Sequence, residues 1–216
     1  MSAGSSVAEQ TAFQLSDGGS IPTPSLQSLR VRPCHVHEIQ GVIEQHHYSH
    51  SIFGVTTDYC YAVMHSGVVV GGAIFGKPAA YNVARKYGNN LTELRRFVLI
   101  DECPRNSESR VIGVMLRDLR ADAGIQRVLS YADPAHGHEG VIYRACGFKY
   151  MGLSAKRKHV MWKGKKYPDR NIHQVNFPFH KELRAALADG SATRVEIPGK
   201  HIYLKCFTSK TKGDAA

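Results

Sequence analysis

The sequence LRRFVLI, residues 94–100, predicts a β-strand and opens the stretch that decides the fold. A polar loop follows at 101–109, and apolar residues at helical spacing then predict a helix over 110–123. The sequence RVLSYA, residues 127–132, predicts a second strand that ends at Asp133. We therefore expect a strand–helix–strand unit here, with a parallel component in its sheet.

A shorter helix follows at 141–146 and ends at Gly147, and residues 148–151 begin another strand. In sheets with parallel strands, ligands bind beyond the carboxyl ends of the strands. This rule brings the loop after Ile100, Asp133 and Tyr143 to one side of the sheet. We predict the functional site there.

Length and charge limit the class of protein. The 216 residues, 43% of them hydrophobic, are enough for one domain with a sizeable core. The 28 Lys and Arg exceed the 18 Asp and Glu, and this net charge of +10 favours nucleic acid or another polyanion as partner. The alternative is that the charge serves solubility alone.

The sequence also indicates a cytoplasmic protein. Its five cysteines are scattered without a Cys-x-x-Cys pair, which indicates reduced thiols. We find no apolar run of transmembrane length and no signal-peptide pattern, so we expect no membrane partner. Residues 1–25 lack periodicity, and we expect them to be disordered. A homodimer stays open.

Apolar patterns outside the central stretch predict further elements. They are a strand at 29–33, a helix at 37–45, a hairpin of strands 59–65 and 68–75 turning at Ser66-Gly67, a helix at 179–187, and a final hairpin of 193–197 with 201–207 around Pro198-Gly199. The pattern at 79–90 leaves open a helix or an excursion over the site.

The segment 154–167 is strongly basic, with aromatic residues interleaved. Its cations could contact phosphates, and Trp162 or Tyr167 could stack on an extruded base. We therefore predict DNA contacts by Lys156, Arg157, Lys158, Lys163, Lys165 and Lys166. The alternative is a solvated β-hairpin whose lysines protect an edge strand.

The order of strands and helices resembles the GNAT superfamily of acyl-CoA-dependent N-acetyltransferases. The sequence IYRACGF, residues 142–148, resembles the superfamily's hydrophobic-Tyr-x-x-x-Gly-Phe segment, which implies that Tyr143 protonates a departing thiolate. The resemblance implies an α/β fold with a mixed, mostly antiparallel sheet around a parallel strand–helix–strand core, flanked by helices. It also implies acetyl-CoA, or a similar acyl-CoA, as cofactor.

In that superfamily the helix after the central strand binds the CoA pyrophosphate at its N-terminus, where free N–H groups and the helix dipole favour an anion. The resemblance implies cofactor contacts by Phe97, Val98, Leu99, Arg105, Asn106, Ser107, Ser109 and Arg110. The loop lacks the usual glycines before Gly113, and Glu108 beside a pyrophosphate would be repulsive unless it points away.

Three segments carry a more specific resemblance, to the bacteriophage Mom family of adenine-modifying proteins from Mu-like phages. They are HHYS at 46–49, LRRF at 94–97 and YADP at 131–134, with Tyr143 ten positions after Asp133. The resemblance implies an enzyme that converts adenine N6 in double-stranded DNA to a carbamoylmethyl derivative, which blocks host restriction. It implies catalytic roles for His47, Tyr48, Arg95, Asp133 and Tyr143.

The resemblance also bears on metal and domains. Iron is compatible with the His-rich N-terminal layer, although neither CHVH at 34–37 nor HHYSH at 46–50 has the spacing of a structural zinc site, so the ligands stay unassigned. We divide the chain into the disordered segment 1–25, a GNAT-like catalytic domain at 26–165, and a C-terminal helix and hairpin extension at 166–216 that completes the same domain.

Four catalytic candidates also have a structural alternative, and for Tyr143 it is a packing role on its helix. Asp133 could accept a hydrogen bond from the N6 amine, or cap a turn before Pro134, which composition alone favours. Arg95 could neutralise a phosphate or an oxyanion, or be an exposed strand charge. His47 could be a base near neutral pH or a metal ligand, or lie on the surface at a helix end.

Two other functions stay open. An ordinary acetyltransferase acting on a small amine or a protein would turn over CoA without DNA and would not need the basic segment. A DNA-binding protein on a degenerate GNAT fold would bind DNA without altering a base. The chemistry itself also constrains the DNA-modifying enzyme: reaching N6 requires base extrusion, and a carbamoylmethyl group joins N6 through an sp³ carbon, whereas acyl transfer leaves an amide.

Overall fold

The computed structural model of the protein describes residues 23–78, 81–122 and 124–207. Residues 1–22 of the segment predicted to be disordered lie outside these ranges. Ala123, at the predicted end of the central helix, also lies outside them. Within the described ranges, no helix is both long enough and apolar enough to cross a membrane.

The described ranges contain strands, helices and short 3-10 turns. The strands are β1 Arg30–Pro33, β2 Tyr59–His65, β3 Val68–Gly76, β4 Leu91–Leu99, β5 Arg127–Ala132, β6 Lys149–Leu153, β7 Arg157–Trp162, β8 Lys165–Pro168, β9 Ala192–Ile197 and β10 His201–Cys206. The helices are α1 Val36–His46, α2 Tyr81–Tyr87, α3 Ser107–Leu119, α4 Val141–Ala145 and α5 His180–Ala188, with 3-10 turns at Pro134–His136 and Asp169–Ile172. The predicted strand at 29–33, the first hairpin and the helices at 37–45 and 179–187 are confirmed.

Seven strands form the large sheet, in the order β1-β2-β3-β4-β5-β10-β6. The pairs are antiparallel except β4 with β5, which run parallel because α3 carries the chain back between them. This topology confirms the predicted mixed, mostly antiparallel sheet around a parallel strand–helix–strand core.

The parallel pair is short, and the two strands then part. β4 pairs with β5 from Leu91 opposite Arg127 to Glu93 opposite Leu129. Beyond this point β4 stays paired with β3, and β5 with β10, so a cleft opens between their carboxyl halves. Arg95 is the extra residue of a bulge in β4, and bulges bend and twist the strand that carries them.

Helices cover both faces of the sheet. Ile112 and Met115 of α3 are fully buried in the same core cluster as Phe75 of β3. Ile39 of α1 packs in a second cluster with Ile74. Because Ile74 and Phe75 are neighbours on one strand, the clusters lie on opposite faces. Burying each such side chain stabilises the fold by about 1.5–3 kcal/mol.

The central helix lies earlier in the chain than its apolar pattern predicts. α3 spans Ser107–Leu119 rather than 110–123. It begins after Asn106, whose φ of 71° is left-handed and outside the helical region. It ends before a turn in which Asp122 accepts a hydrogen bond from the Gly124 N–H at 2.8 Å. The polar segment at 107–109 is therefore the first helical turn, and not a loop.

The predicted C-terminal hairpin is wrong. β9 pairs with β7 in a separate small sheet, while β10 inserts between β5 and β6 in the large sheet. The chain crosses between the sheets at Gly199, where an added Cβ would lie 1.9 Å from the Ser154 carbonyl oxygen. Ser154 N–H donates to the Lys200 carbonyl at 2.8 Å, and Lys200 N–H donates to Ser154 Oγ at 2.8 Å.

The basic segment forms β7 and β8, which turn at Lys163-Gly164 with φ values of 49° and 71°. β7 is central in the three-stranded sheet β8-β7-β9, and α5 packs against it through Leu183 and Ala186. Trp162 and Tyr167 pack in this same cluster and not at the cleft of the large sheet. The predicted domain boundary at 165–166 falls inside β8.

Candidate active site

The cleft between β4 and β5 contains a cavity of about 530 Å³. Residues 94–99 of β4 and 131–133 at the end of β5 form two walls, and residues 46–48, 50, 108 and 137–143 line the rest. All five predicted catalytic residues line this cavity, namely His47, Tyr48, Arg95, Asp133 and Tyr143. The parting of the two strands thus brings together residues that are far apart in the sequence.

Asp133 is a buried carboxylate held by two cations. Its Oδ2 lies 2.9 Å from Lys200 Nζ and 3.2 Å from Arg157 Nη2, and its Oδ1 accepts a hydrogen bond from the Ala135 N–H at 3.1 Å. Burial acts to raise the pKa of Asp133, but the bond and charge of Lys200, the Ala135 N–H and Arg157 together hold it below its ordinary value. Asp133 therefore caps a turn and also presents an ionised carboxylate to the cavity.

Tyr143 presents a protonated phenol to the same cavity. It lies on α4, is 8% exposed, and contacts the rings of Phe148 and Tyr203 at centroid distances of 5.6 and 5.4 Å. Burial raises the pKa of Tyr143 to about 12, against the opposing effect of the Ser130 hydroxyl. At neutral pH the phenol keeps its proton, which suits a proton donor.

His47 is buried and neutral. Its Nδ1 accepts a hydrogen bond from the Ser49 N–H at 3.1 Å and lies 2.8 Å from Ser49 Oγ. A backbone N–H can only donate, so the neutral ring carries its proton on Nε2. Burial, followed by the charge of Arg96, lowers the pKa of His47 to about 4. These contacts favour His47 as a hydrogen-bond donor and not as a base near neutral pH.

Tyr48 stands at the centre of a group of aromatic rings. Its centroid lies 4.2 Å from that of His47, 4.3 Å from that of His136 and 5.6 Å from that of His138. The Tyr48 side chain is 40% exposed, so part of its ring surface is open. We call Tyr48, His136 and His138 the aromatic platform. The sequence analysis missed both histidines, although they closely follow Asp133-Pro134.

Two arginines tie β4 to neighbouring loops. Arg95 Nε lies 3.6 Å from Glu93 Oε1, and Arg95 Nη1 donates to the Lys77 carbonyl at 3.0 Å. Arg96 Nε donates to the Ser51 carbonyl at 2.9 Å and so fixes the loop that carries His47 and Tyr48. Arg96 lines the cavity, and Lys200 pairs with Asp133. Neither residue was predicted from the sequence.

The predicted cofactor contacts divide into two groups. Phe97, Val98 and Leu99 line the cavity, whereas Arg105, Asn106, Ser107, Ser109 and Arg110 lie at the start of α3 without lining it. Ser107 is fully buried, and its Oγ finds no hydrogen-bond partner among the described residues. Glu108 of the first helical turn does line the cavity. Phe97, Val98 and Leu99 therefore suit the uncharged pantetheine part of CoA. The negative charge of Glu108 disfavours an anion near the N-terminus of α3.

The predicted DNA contacts also differ in their surroundings. Arg157 forms an ion pair with Asp133, and Lys156 Nζ pairs with Glu196 Oε2 at 2.9 Å. The side chains of Lys158, Lys163, Lys165 and Lys166 are exposed. Across the described ranges, no group of three or more His, Cys, Asp or Glu side chains is placed to hold a metal ion, so the iron expectation has no ligand set there.

The fold and this cleft define the class of protein. The structure matches AAC(6')-Ib in complex with ribostamycin and coenzyme A at a TM-score of 0.50, with 12% identity over 87% of this chain and 99% of that one. A Bacillus subtilis acetyltransferase in complex with CoA gives a TM-score of 0.46, with 8% identity over 83% of this chain and 99% of that one. The chain has the fold of the GNAT acetyltransferases, as its element order predicted.

Residues 28–216 match the Mom protein family, and the chain belongs to this family. Methylcarbamoylase Mom of Escherichia phage Mu is 31% identical over 141 residues. This match covers 62% of the present chain and 58% of the Mu protein, so the chain spans little more than half of that relative. Both resemblances predicted from the sequence are confirmed.

The two cations on Asp133 generate a prediction about stability. Lys200→Ala removes the cation nearest to a buried carboxylate, and we expect unfolding free energy at neutral pH to fall by about 1–3 kcal/mol. Lys156→Ala removes an exposed ion pair, and we expect a much smaller change in the unfolding free energy. Urea unfolding followed by circular dichroism measures both.

The loss should depend on pH. Because the folded protein lowers the pKa of Asp133, its carboxylate contributes stability above the ordinary Asp pKa and loses that contribution as the pH falls through the folded value. The deficit of Lys200→Ala should therefore shrink in acid. Equal losses from the two variants, or a pH-independent deficit, would contradict the assigned ion pairs.

Proposed function

We propose that this chain modifies adenine in double-stranded DNA, replacing one N6 hydrogen by a carbamoylmethyl group that protects phage DNA from host restriction. The observation that carries the proposal is the convergence of Asp133, Tyr143, Tyr48 and His138 on one cavity, with His136 stacked on Tyr48. Family membership and the methylcarbamoylase relative support the same chemistry.

The cavity suits a single base taken out of the duplex. Adenine N6 is conjugated with its ring and stacked in the helix, so extrusion exposes it at a cost of a few kcal/mol. The half-exposed ring of Tyr48, backed by His136, offers a stacking surface for the extruded base. The basic surface of the small sheet supplies phosphate contacts that offset the cost.

Asp133 then orients and activates the amine. Its carboxylate accepts a hydrogen bond from N6–H, which concentrates electron density on nitrogen while the new N6–C bond forms. Lys200 and Arg157 keep this carboxylate ionised, so it is an acceptor rather than a proton donor. The new N6–C bond replaces the bond between the donor carbon and its leaving group, which departs with that electron pair, and the N6 proton passes to solvent.

Tyr143 and His47 serve the donor side. Tyr143 holds its phenolic proton at neutral pH and can give it to a departing thiolate. His47 carries its proton on Nε2 and can donate a hydrogen bond to developing negative charge. A CoA thioester, when bound along Phe97 to Leu99, would supply an activated acyl group. A carbamoylmethyl product needs reaction at an sp³ carbon, so fragmentation of the modified nucleoside, which distinguishes an N6–CH2 linkage from an N6 amide, identifies the type of donor carbon.

An ordinary N-acetyltransferase is the second candidate, and the GNAT fold favours it. A neutral phenol beside the β4 wall would serve acyl transfer to any small amine or protein amine equally well. The two candidates differ in substrate. Only the DNA-modifying enzyme requires the aromatic platform and the basic small sheet.

Nucleoside mass spectrometry of plasmid DNA tests the proposal. Cells expressing the chain should yield a modified deoxyadenosine, and Asp133→Asn should lower its amount roughly hundredfold because the neutral amide oxygen is a weaker acceptor for N6–H than the carboxylate. Asp189→Asn, in an exposed position at the end of α5, is the matched control and should retain the parent level.

Unmodified DNA from folded, well-expressed parent protein would overturn this function. CoA release with small amines and without DNA would then favour the acetyltransferase. Salt-sensitive DNA binding that survives Asp133→Asn and Tyr143→Phe, with no altered base, would favour a non-catalytic DNA-binding protein.

The position of Glu108 generates a prediction about the cofactor. Glu108→Gln removes a negative charge from the first turn of α3 at the cavity wall, and we expect CoA to bind about two- to fivefold more tightly. Glu102→Gln, exposed in the preceding turn, should change affinity less. Titration calorimetry with CoA measures both, and weaker binding by Glu108→Gln would contradict an anion site at this helix end.

A further inference from the structure

The small sheet has two chemically different faces. Val160, Trp162 and Ala192 pack towards α5 in one apolar cluster. Side chains alternate along a strand, so Arg157, His159 and Met161 of β7 belong to the opposite face. Trp162 pairs with Lys165, and Met161 pairs with Lys166, so these two adjacent lysines lie on different faces.

The face opposite α5 begins at the candidate active site. Arg157 at its start lies 3.2 Å from the Asp133 carboxylate, and its side chain is 38% exposed. Arg157 Nε finds no hydrogen-bond partner among the described residues, nor does Nδ1 of His159 two positions further along. Both nitrogens are buried, so the part of this face that continues outward from the cavity is the exposed portion of the Arg157 side chain.

The same face carries an unbalanced positive charge. His159 lies opposite Pro168, two residues before Arg170, and Met161 lies opposite Lys166. Burial, then the charges of Arg157, Lys166 and Arg170, lower the pKa of His159, while Asp133 opposes them. Arg170 and Lys166 are exposed. Arg157 and Lys200 hold the Asp133 carboxylate, and together with Lys166 and Arg170 they make four cationic groups that we call the basic strip.

The acids of the small sheet neutralise other cations. Glu196 pairs with Lys156, and Asp169 pairs with Arg194. Arg194 lies opposite Val160 in the register, which places it on the face towards α5. The exposed charges on that face are thus partly balanced, whereas Lys166 and Arg170 have no ion-pair partner among the described residues.

We infer that the basic strip, and not the lysines on the α5 face, binds the phosphodiester backbone of the DNA strand that carries the extruded nucleotide. The strip is continuous with the cavity, and from Arg157 to Met161 it runs roughly 13 Å at about 3.3 Å per residue, enough for more than one phosphate. Guanidinium and ammonium groups are the side chains that bind phosphate best. The inference rests on the proposed function for its substrate.

Lys165 and Lys166 are adjacent but lie on different faces, so substituting each in turn compares the two faces directly. We expect Lys166→Ala to weaken binding of a fluorescent DNA duplex about three- to tenfold, and to reduce the slope of log affinity against log salt by about one. Lys165→Ala removes the same charge one residue away, on the other face, and should stay within about twofold of the parent. Fluorescence anisotropy over a salt series with the full chain measures both, and thermal melting checks that each variant is folded.

Charge reversal extends the comparison, because Lys166→Glu should weaken binding more than Lys165→Glu. Equal losses of DNA affinity from the two positions, or a larger loss at Lys165, would contradict DNA binding by the basic strip. Absence of duplex binding by the parent would also overturn it. A parent that binds DNA through Lys166 but leaves adenine unmodified would instead contradict the proposed function and leave the strip standing.

Discussion

The site depends on the short pairing of β4 with β5. The two strands pair over three residue positions and then separate. Each strand keeps its other neighbour, so the backbone of the sheet stays paired while a cleft opens at its centre. The bulge at Arg95 bends β4 at this point. Without the parting, β4 and the Asp133 end of β5 would adjoin as an ordinary sheet, with no room for a ligand between them.

Electrostatics then distinguish the groups that line the cleft. Asp133 stays ionised because Lys200 and Arg157 hold it, whereas Tyr143 stays protonated and His47 neutral because both are buried. The cleft thus offers an acceptor and two donors at one pH. The cations that hold Asp133 come from the small sheet and from the crossing into β10, so both parts of the chain contribute to one site.

Periodicity predicted most of the secondary structure, because it reports local conformation. The family resemblances implied the five catalytic candidates and Phe97, Val98 and Leu99, and these eight residues line the cavity. Lys200 could not be found, because its role depends on β10 crossing into the large sheet, whereas the pattern around Pro198-Gly199 favours a local hairpin. Trp162 is a different case. Its place in a basic segment with aromatic residues suggested base stacking, but the alternation of side chains along β7 directs it towards α5. Pairing of distant strands carries no signal in a single sequence.

The most direct test is a crystal structure of the protein with a duplex that holds adenine opposite an abasic site, which makes extrusion easier. We predict the adenine in the cleft, stacked on Tyr48 or His136, with N6 within hydrogen-bond distance of an Asp133 oxygen. An adenine that stays in the duplex, or a duplex bound with the cleft of β4 and β5 facing away from it, would contradict the proposal that this cleft is the site of DNA modification.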